Sequence, residues 1–101
     1  MDAVVAPGGR VLDPGYISLS GLAPKTVGVV VRVGDPNSGI TPLERRLLEL
    51  GFVSGEHVEV LTEARPGRDP FVVRVGSTTL ALRRRDVESV WIAIQRTGRS
   101  P

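Results

Sequence analysis

The residues best suited to metal chemistry lie close together at the start of a predicted strand: Glu56, His57 and Glu59. His57 is the only histidine of the chain, and there is no cysteine. A metal site usually gathers three or four ligands from His, Cys, Asp and Glu side chains. Because successive side chains of a strand point to opposite faces, only His57 and Glu59 could share a face. We therefore expect His57 to be a solvent-facing histidine, and we predict no metal site and no cofactor.

The arginine run Arg83-Arg84-Arg85 could contact phosphate, since guanidinium groups bind phosphate oxygens well. Asp86 follows it directly, and the net charge of the whole chain is only +2. A charge this small does not by itself require a nucleic acid partner. We favour a solvated turn at the end of a strand, and we expect no nucleic acid partner.

No catalytic constellation is evident in the sequence. A nucleophile needs a positioned base and a group that orients the base, and the single histidine has no evident Ser or Asp partner. Glycine-rich phosphate loops of the GxxxxGKS kind are absent. The sequence therefore predicts no catalytic and no cofactor-binding residues, and a protein that is not an enzyme.

The clearest structural pattern is a short helix in the segment TPLERRLLELG, residues 41–51. Thr41 and Glu44 have the spacing of a capping box, and Pro42 falls at the first helical position. Gly51 suits the left-handed position after a helix. A helix of about ten residues is marginal alone in water. We therefore expect its leucines to pack on the strands around it.

Five short strands surround this helix in the sequence pattern. We place them at Val27–Val33, around Val58–Val60, at Phe71–Val75, at Leu80–Leu82 and at Val90–Ile94, with an edge segment at Leu19–Leu22 before them. Gly76-Ser77 predicts a tight hairpin with glycine at the first central position. The pattern predicts a mainly β fold: a small five-stranded SH3-like barrel with one short α-helix inserted after the first long strand, which covers one open end.

The chain of 101 residues predicts one folded domain at residues 16–94. Glycine and proline without periodicity predict a flexible lead-in at residues 1–15, and a polar tail is expected at residues 95–101. The first residues lack the basic and apolar regions of a signal peptide, so we expect a cytoplasmic protein.

Four segments, taken in order, resemble the ferrous iron transport protein A (FeoA) family. They are LLELGFVSG at residues 47–55, VEV at 58–60, ARPGRDP at 64–70 and LALR at 80–83. They are similar to that family's leucine-rich helix, alternating strand, G-D-P loop and closing hairpin. Ser54 stands where the family usually has proline, and Arg68 is an extra residue inside G-D-P.

The resemblance implies an SH3-like domain that assists a membrane ferrous iron transporter, FeoB, which carries a cytosolic GTP-binding domain. The same fold also occurs at the C-terminus of metal-responsive repressors, behind a helix-turn-helix domain. Since residues 1–40 show no pattern for such a domain, the chain resembles the free-standing member, which docks on the transporter and modulates it.

Docking requires an exposed surface, which we expect at the loop of residues 34–40, the helix and the loop of residues 64–70. The candidate partner-binding residues are Leu43, Arg46, Leu47, Leu61, Arg65, Arg68 and Trp91. Leu61 breaks the alternation of its strand. Trp91 is predicted to point outward, either toward a partner or under the N-terminal segment against Tyr16. With Leu61 it could also serve a homo-oligomer.

Two other functions remain open at the level of the sequence. A small basic barrel could bind nucleic acid, with binding that falls steeply as salt rises. A metal-responsive regulatory module is the other alternative, and it would depend on His57.

Overall fold

The computed structural model of the protein describes residues 16–95. Its strands are β1 (Tyr16–Ser18), β2 (Val27–Val33), β3 (His57–Glu63), β4 (Phe71–Val75), β5 (Thr78–Leu82) and β6 (Val90–Ile94), and its helix is α1 (Pro42–Leu50). Short 3-10 turns at Leu19–Gly21 and Arg84–Val87 follow β1 and β5. The predicted lead-in at 1–15 and the predicted tail beyond Gln95 lie outside the described residues.

The strands form one antiparallel sheet in the order β1-β6-β2-β3-β4-β5. This confirms the predicted fold class, with one strand more than expected. The extra strand, β1, pairs Tyr16 with Ala93 and Ser18 with Trp91. The predicted edge segment after it is instead a 3-10 turn, because the Ser18 hydroxyl accepts a hydrogen bond from the Ser20 amide and caps the turn.

The helix α1 begins and ends as the sequence predicts. Thr41 Oγ1 accepts from the Glu44 amide at 3.0 Å, and Glu44 Oε1 accepts from the Thr41 amide at 3.1 Å. This capping box satisfies two amides that the first turn of a helix leaves without partners. Gly51 ends the helix with φ at +121°, in the region that favours glycine.

The core is built from alternate residues of the strands, from two residues at the helix, and from Leu19, Leu22 and Val87 at the 3-10 turns. Inward-facing residues of β2, β3, β4 and β6 are fully buried: Val30, Val58, Val60, Phe71, Val73, Val75, Val90 and Ile92. Leu47 of α1 and Phe52 just after it join the same cluster. The amides of Gly51 and Phe52 donate to helix carbonyls, so the chain turns at once from the helix into the core.

The alternation in β3 is interrupted at Leu61, which had looked like an apolar residue on the wrong face. Val60 lies opposite Val73 and Thr62 lies opposite Val72, so one extra residue stands between two consecutive pairs. Leu61 is therefore the extra residue of a β-bulge, and it is half-buried. A similar shift occurs in β2 between Val30 and Arg32.

Candidate functional site

Arg84 joins three separate segments through the donors of its guanidinium group. Its Nη1 donates to the carbonyl oxygens of Ser20 at 3.0 Å and Leu22 at 2.9 Å, and its Nε donates to the carbonyl oxygen of Arg68 at 2.9 Å. The side chain is only 12 % exposed. The prediction of a solvated turn is therefore wrong for Arg84, although Arg83 and Arg85 on either side are exposed.

The rest of the Arg84 side chain contacts a carboxylate and an aromatic ring. Arg84 Nη2 lies 2.7 Å from Glu63 Oε1, and its guanidinium carbon lies 4.1 Å from the centroid of the Phe71 ring. The Arg84 backbone amide also donates to Asp69 Oδ1 at 2.9 Å. We call Arg84, Glu63, Arg68, Asp69 and Phe71 the Arg84 network. Since each of its three nitrogens already donates to a protein oxygen, the Arg84 guanidinium group is not available to a phosphate group.

Glu63 is the single carboxylate that faces three arginines at the end of β3. Besides Arg84, Arg68 Nε lies 3.1 Å from Glu63 Oε1 and Arg65 Nη2 lies 3.7 Å from Glu63 Oε2. Burial raises the pKa of Glu63, but the hydrogen bond from Arg68 and the charges of Arg68, Arg84 and Arg65 outweigh it. The pKa of this carboxyl is therefore held below its ordinary value of 4.5.

The loop of residues 64–70 is closed on itself and anchored by the Arg84 network. The Ala64 amide donates to the Pro70 carbonyl oxygen at 2.9 Å across the base of the loop. Arg68 has a positive φ of 67°, and its carbonyl oxygen is bound by Arg84. In this arrangement the exposed side chains of Arg65 and Arg68 both face the Glu63 carboxylate.

The start of α1 carries a second exposed region, which we call the helix-entry patch: Ile40, Leu43 and Arg46. Ile40 is 44 % exposed and Leu43 is 42 % exposed, and both are apolar. Arg46 lies one turn after Leu43 and is exposed as well. Leu47 was a candidate for the same surface, but it is only 2 % exposed because it fills the core under the helix. The structure therefore removes Leu47 from the surface candidates.

The loop between β2 and α1 positions this patch. The carboxylate of Asp35 accepts from the Asn37 amide at 2.9 Å, and the Asp35 carbonyl accepts from the Ser38 amide at 3.0 Å. Gly34 turns the chain with φ at +80°, and a Cβ there would lie 2.9 Å from the Glu44 carboxylate. The loop is thus folded against the helix cap, and residues 35–40 are exposed.

Trp91 is half-buried on β6, where its directly paired neighbours are Ser18 of β1 and Arg32 of β2. Tyr16 lies opposite Ala93, on the same face and diagonally next to Trp91, so the register is compatible with the predicted position of Trp91 beside Tyr16. The Arg32 guanidinium lies 5.9 Å from the centre of the Trp91 ring. The arginine above the ring is a cation–π neighbour that the strand pattern alone does not indicate.

His57 is exposed at the start of β3. On the same face, Glu59 forms an ion pair with Arg74 at 3.3 Å. Within residues 16–95, no group of three or more histidine, aspartate or glutamate side chains is placed to hold a metal ion.

Sequence reasoning treated Arg84 only as part of a solvated arginine run, and it missed Glu63 and the exposed Val53. Glu63 and Arg84 are 21 residues apart in the chain, so no local spacing indicates the pair. Ile40 lies in the predicted surface loop of residues 34–40, and its 44 % exposure makes it the exposed apolar residue of that loop.

Comparison with known proteins shows which family the chain resembles. The model of the FeoA domain matches residues 17–94. None of the curated proteins is similar to the chain at a significant level. Among residues 16–95, no helix is long and apolar enough to cross a membrane.

Solved structures of similar fold include two FeoA proteins and a transcriptional repressor. The zinc-complexed FeoA of Stenotrophomonas maltophilia, described as an SH3 domain protein, is 36 % identical, with a TM-score of 0.67 over 79 % of this chain and 96 % of that one. FeoA of Chlorobium tepidum is 30 % identical, with a TM-score of 0.65 over 79 % and 71 %. A manganese-dependent transcriptional repressor shares the fold at 21 % identity and a TM-score of 0.66, over 89 % of this chain and 47 % of that one.

The FeoA model covers most of the chain, from β1 through β6. The relatives at 30 % identity or more are FeoA proteins with the same SH3-like fold. The chain therefore belongs to the FeoA family of small accessory SH3-like domains, and this membership gives it a role in ferrous iron transport.

Proposed function

We propose that the chain is a cytoplasmic accessory protein that docks on the cytosolic GTP-binding domain of a FeoB-type ferrous iron transporter and modulates it. The observation that carries the proposal is the helix-entry patch, where Ile40 and Leu43 are each more than 40 % exposed on an otherwise polar segment. Exposed apolar side chains rimmed by polar residues are typical of protein–protein contact sites.

The patch has the composition of a small interface. Leu43 and Ile40 supply apolar area, and Arg46 supplies a charged group at its rim. Apolar anchors surrounded by polar residues carry most of the binding energy of such contacts. The capping box holds Leu43 in a fixed helical position, which lowers the ordering cost of binding.

The loop of residues 64–70 supports the same proposal through its charge. Arg65 and Arg68 are exposed and kept side by side by Glu63. Exposed charges at the edge of an interface mainly set the association rate and its dependence on salt. We give Leu61 and Trp91 a lesser part in the proposed surface, since both are half-buried.

The proposal is tested by measuring the affinity of the purified chain for the isolated GTP-binding domain of the transporter from the same organism. Leu43→Glu should weaken binding about tenfold or more, because it places a charge in the apolar contact. Val53→Glu is the matched control, since Val53 is equally exposed, at 45 %, but lies beyond the other end of the helix. Equal effects of the two variants, or no binding by the wild type, would contradict the proposal.

A further inference from the structure

The strand β5 is one edge of the sheet that residues 16–95 form, and its own sequence carries no protection against pairing. It is hydrogen-bonded to β4, and no other strand of residues 16–95 lies along its opposite side. Its sequence, TTLAL, has no charged residue and no proline, and its register with β4 is regular at all five positions. Edge strands are usually protected by lysine, proline, bulges or a very short length. Within the described part of the chain, β5 therefore presents an open backbone edge.

The hairpin geometry shows which backbone groups lie on this edge. Gly76-Ser77 is a two-residue loop, with φ at +59° for Gly76 and Val75 opposite Thr78. The pair that closes such a loop is hydrogen-bonded, and pairing then alternates along the strand. The backbone groups of Thr78, Leu80 and Leu82 therefore point toward β4. Those of Thr79 and Ala81 point away from the sheet.

We propose that β5 is a homodimer interface, in which it pairs antiparallel with β5 of a second copy of this chain. The two-fold axis passes through Leu80, so that Thr79 of each copy lies opposite Ala81 of the other. The outward amide and carbonyl groups of these two residues then form about four hydrogen bonds across the interface. The sheets of the two copies become one continuous sheet.

A second copy fits this edge because the edge is complementary to itself. A two-fold interface brings the same strand onto both sides, so a charged residue near the axis would meet its own copy. Here the residues from 78 to 82 are all uncharged, and Arg83 lies opposite Ser77 of the second copy in this register. The half-buried Leu80 side chains meet at a pair without backbone hydrogen bonds, where side chains come closest.

The oligomeric state tests the proposal directly. Sedimentation of the full chain over concentrations up to about 1 mM, where even weak complexes associate, should give twice the monomer mass for the wild type. Thr79→Lys should raise the dissociation constant about tenfold or more, because two lysines then face the edge close to the axis. Thr62→Lys is the matched control, since Thr62 is also exposed but lies on the inner strand β3.

A mixing experiment tests the register. Ala81→Glu should weaken self-association like Thr79→Lys. A mixture of the two variants should then associate more tightly than either alone, because the introduced lysine of one copy lies opposite the introduced glutamate of the other. Circular dichroism checks that each variant is folded. If Thr79→Lys does not fold, the self-association of Ala81→Glu alone tests the proposal. A monomeric wild type, equal effects of Thr79→Lys and Thr62→Lys, or no gain on mixing would overturn the proposal.

Discussion

The three adjacent arginines at residues 83–85 have different surroundings in this protein and therefore different roles. Arg83 and Arg85 are exposed, whereas Arg84 binds three carbonyl oxygens and the Glu63 carboxylate. A guanidinium group can do this because its donors are arranged in a rigid, planar fork. A lysine at the same position has one nitrogen and cannot reach acceptors that lie on different sides.

We expect Arg84→Lys to lower the free energy of unfolding by about 2–4 kcal/mol, because it leaves the part-buried carbonyl oxygens of Ser20 and Leu22 without donors and weakens the pair with Glu63. Urea unfolding, followed by circular dichroism, measures the change. Arg85→Lys is the control and should change stability by less than about 0.5 kcal/mol, since Arg85 is exposed. If Arg84→Lys were as stable as Arg85→Lys, the Arg84 network would have no structural role.

The pKa of Glu63 predicts how stability changes in acid. Its pKa in the folded protein is lower than in the unfolded chain. The contribution of Glu63 to stability is therefore fully present above the unfolded value of 4.5, and it is lost as the pH falls through the lower, folded pKa. Urea midpoints at pH 7, 4.5 and 3 should show this loss. Glu63→Gln should be less stable than the wild type at pH 7 and should approach it at pH 3; a constant difference would contradict the prediction.

At the scale of the elements, features set by neighbouring residues, such as helix caps and tight turns, were predictable from the sequence. Features set by contacts between distant strands, such as register and bulges, were not. The capping box at Thr41 and the hairpin at Gly76 each depend on neighbours within a few residues, and both were predicted. Leu61 looked misplaced because a bulge changes the register of β3 against β4. Sequence alternation within one strand carries no information about its partner's register.

Gly28 is another residue whose role depends on a distant strand, since it lies where β2 and β6 approach closely. It lies opposite Ile94, and a Cβ built there would lie 2.5 Å from Ile92 Cγ2 and 2.7 Å from the Ala93 carbonyl oxygen. The two strands can approach this closely only because residue 28 has no side chain.

We therefore expect Gly28→Ala to destabilise the fold by about 1–3 kcal/mol, through overpacking against backbone that cannot rotate away. Thermal unfolding measures the change. Gly39→Ala is the matched control, because no atom lies within 4 Å of a Cβ built at that position. Equal melting temperatures for the two variants would show that β6 can shift to accommodate a methyl group.

At the scale of the whole molecule, the family pattern gave the fold class and the role in iron transport, but it did not determine which surface is exposed. Leu43 and Leu47 are one helical turn apart and looked equivalent as surface candidates, yet one is exposed and the other lies in the core. Leu47 belongs to the core cluster and Leu50 packs against it, whereas Leu43 does neither. Burial of this kind follows from the packing of all elements together and not from the helix alone.

Phe52 is the residue through which the helix and the sheet share a core. It is fully buried in the cluster that contains Leu47 and residues of four strands. We expect Phe52→Ala to lower the free energy of unfolding by about 3–5 kcal/mol, a large part of the total for a small domain.

This loss should appear as one cooperative transition, because a single core leaves neither part able to fold alone. Fluorescence of Trp91, the only tryptophan, reports on β6, and circular dichroism at 222 nm reports on α1. In Phe52→Ala, the unfolding transitions followed by the two signals should move to lower denaturant together. Val53 is the next residue and is exposed, so Val53→Ala should change the free energy of unfolding from either signal by less than about 0.5 kcal/mol. If the helix signal were lost while the Trp91 transition stayed in place, the helix would be a separate unit docked on an independently stable sheet.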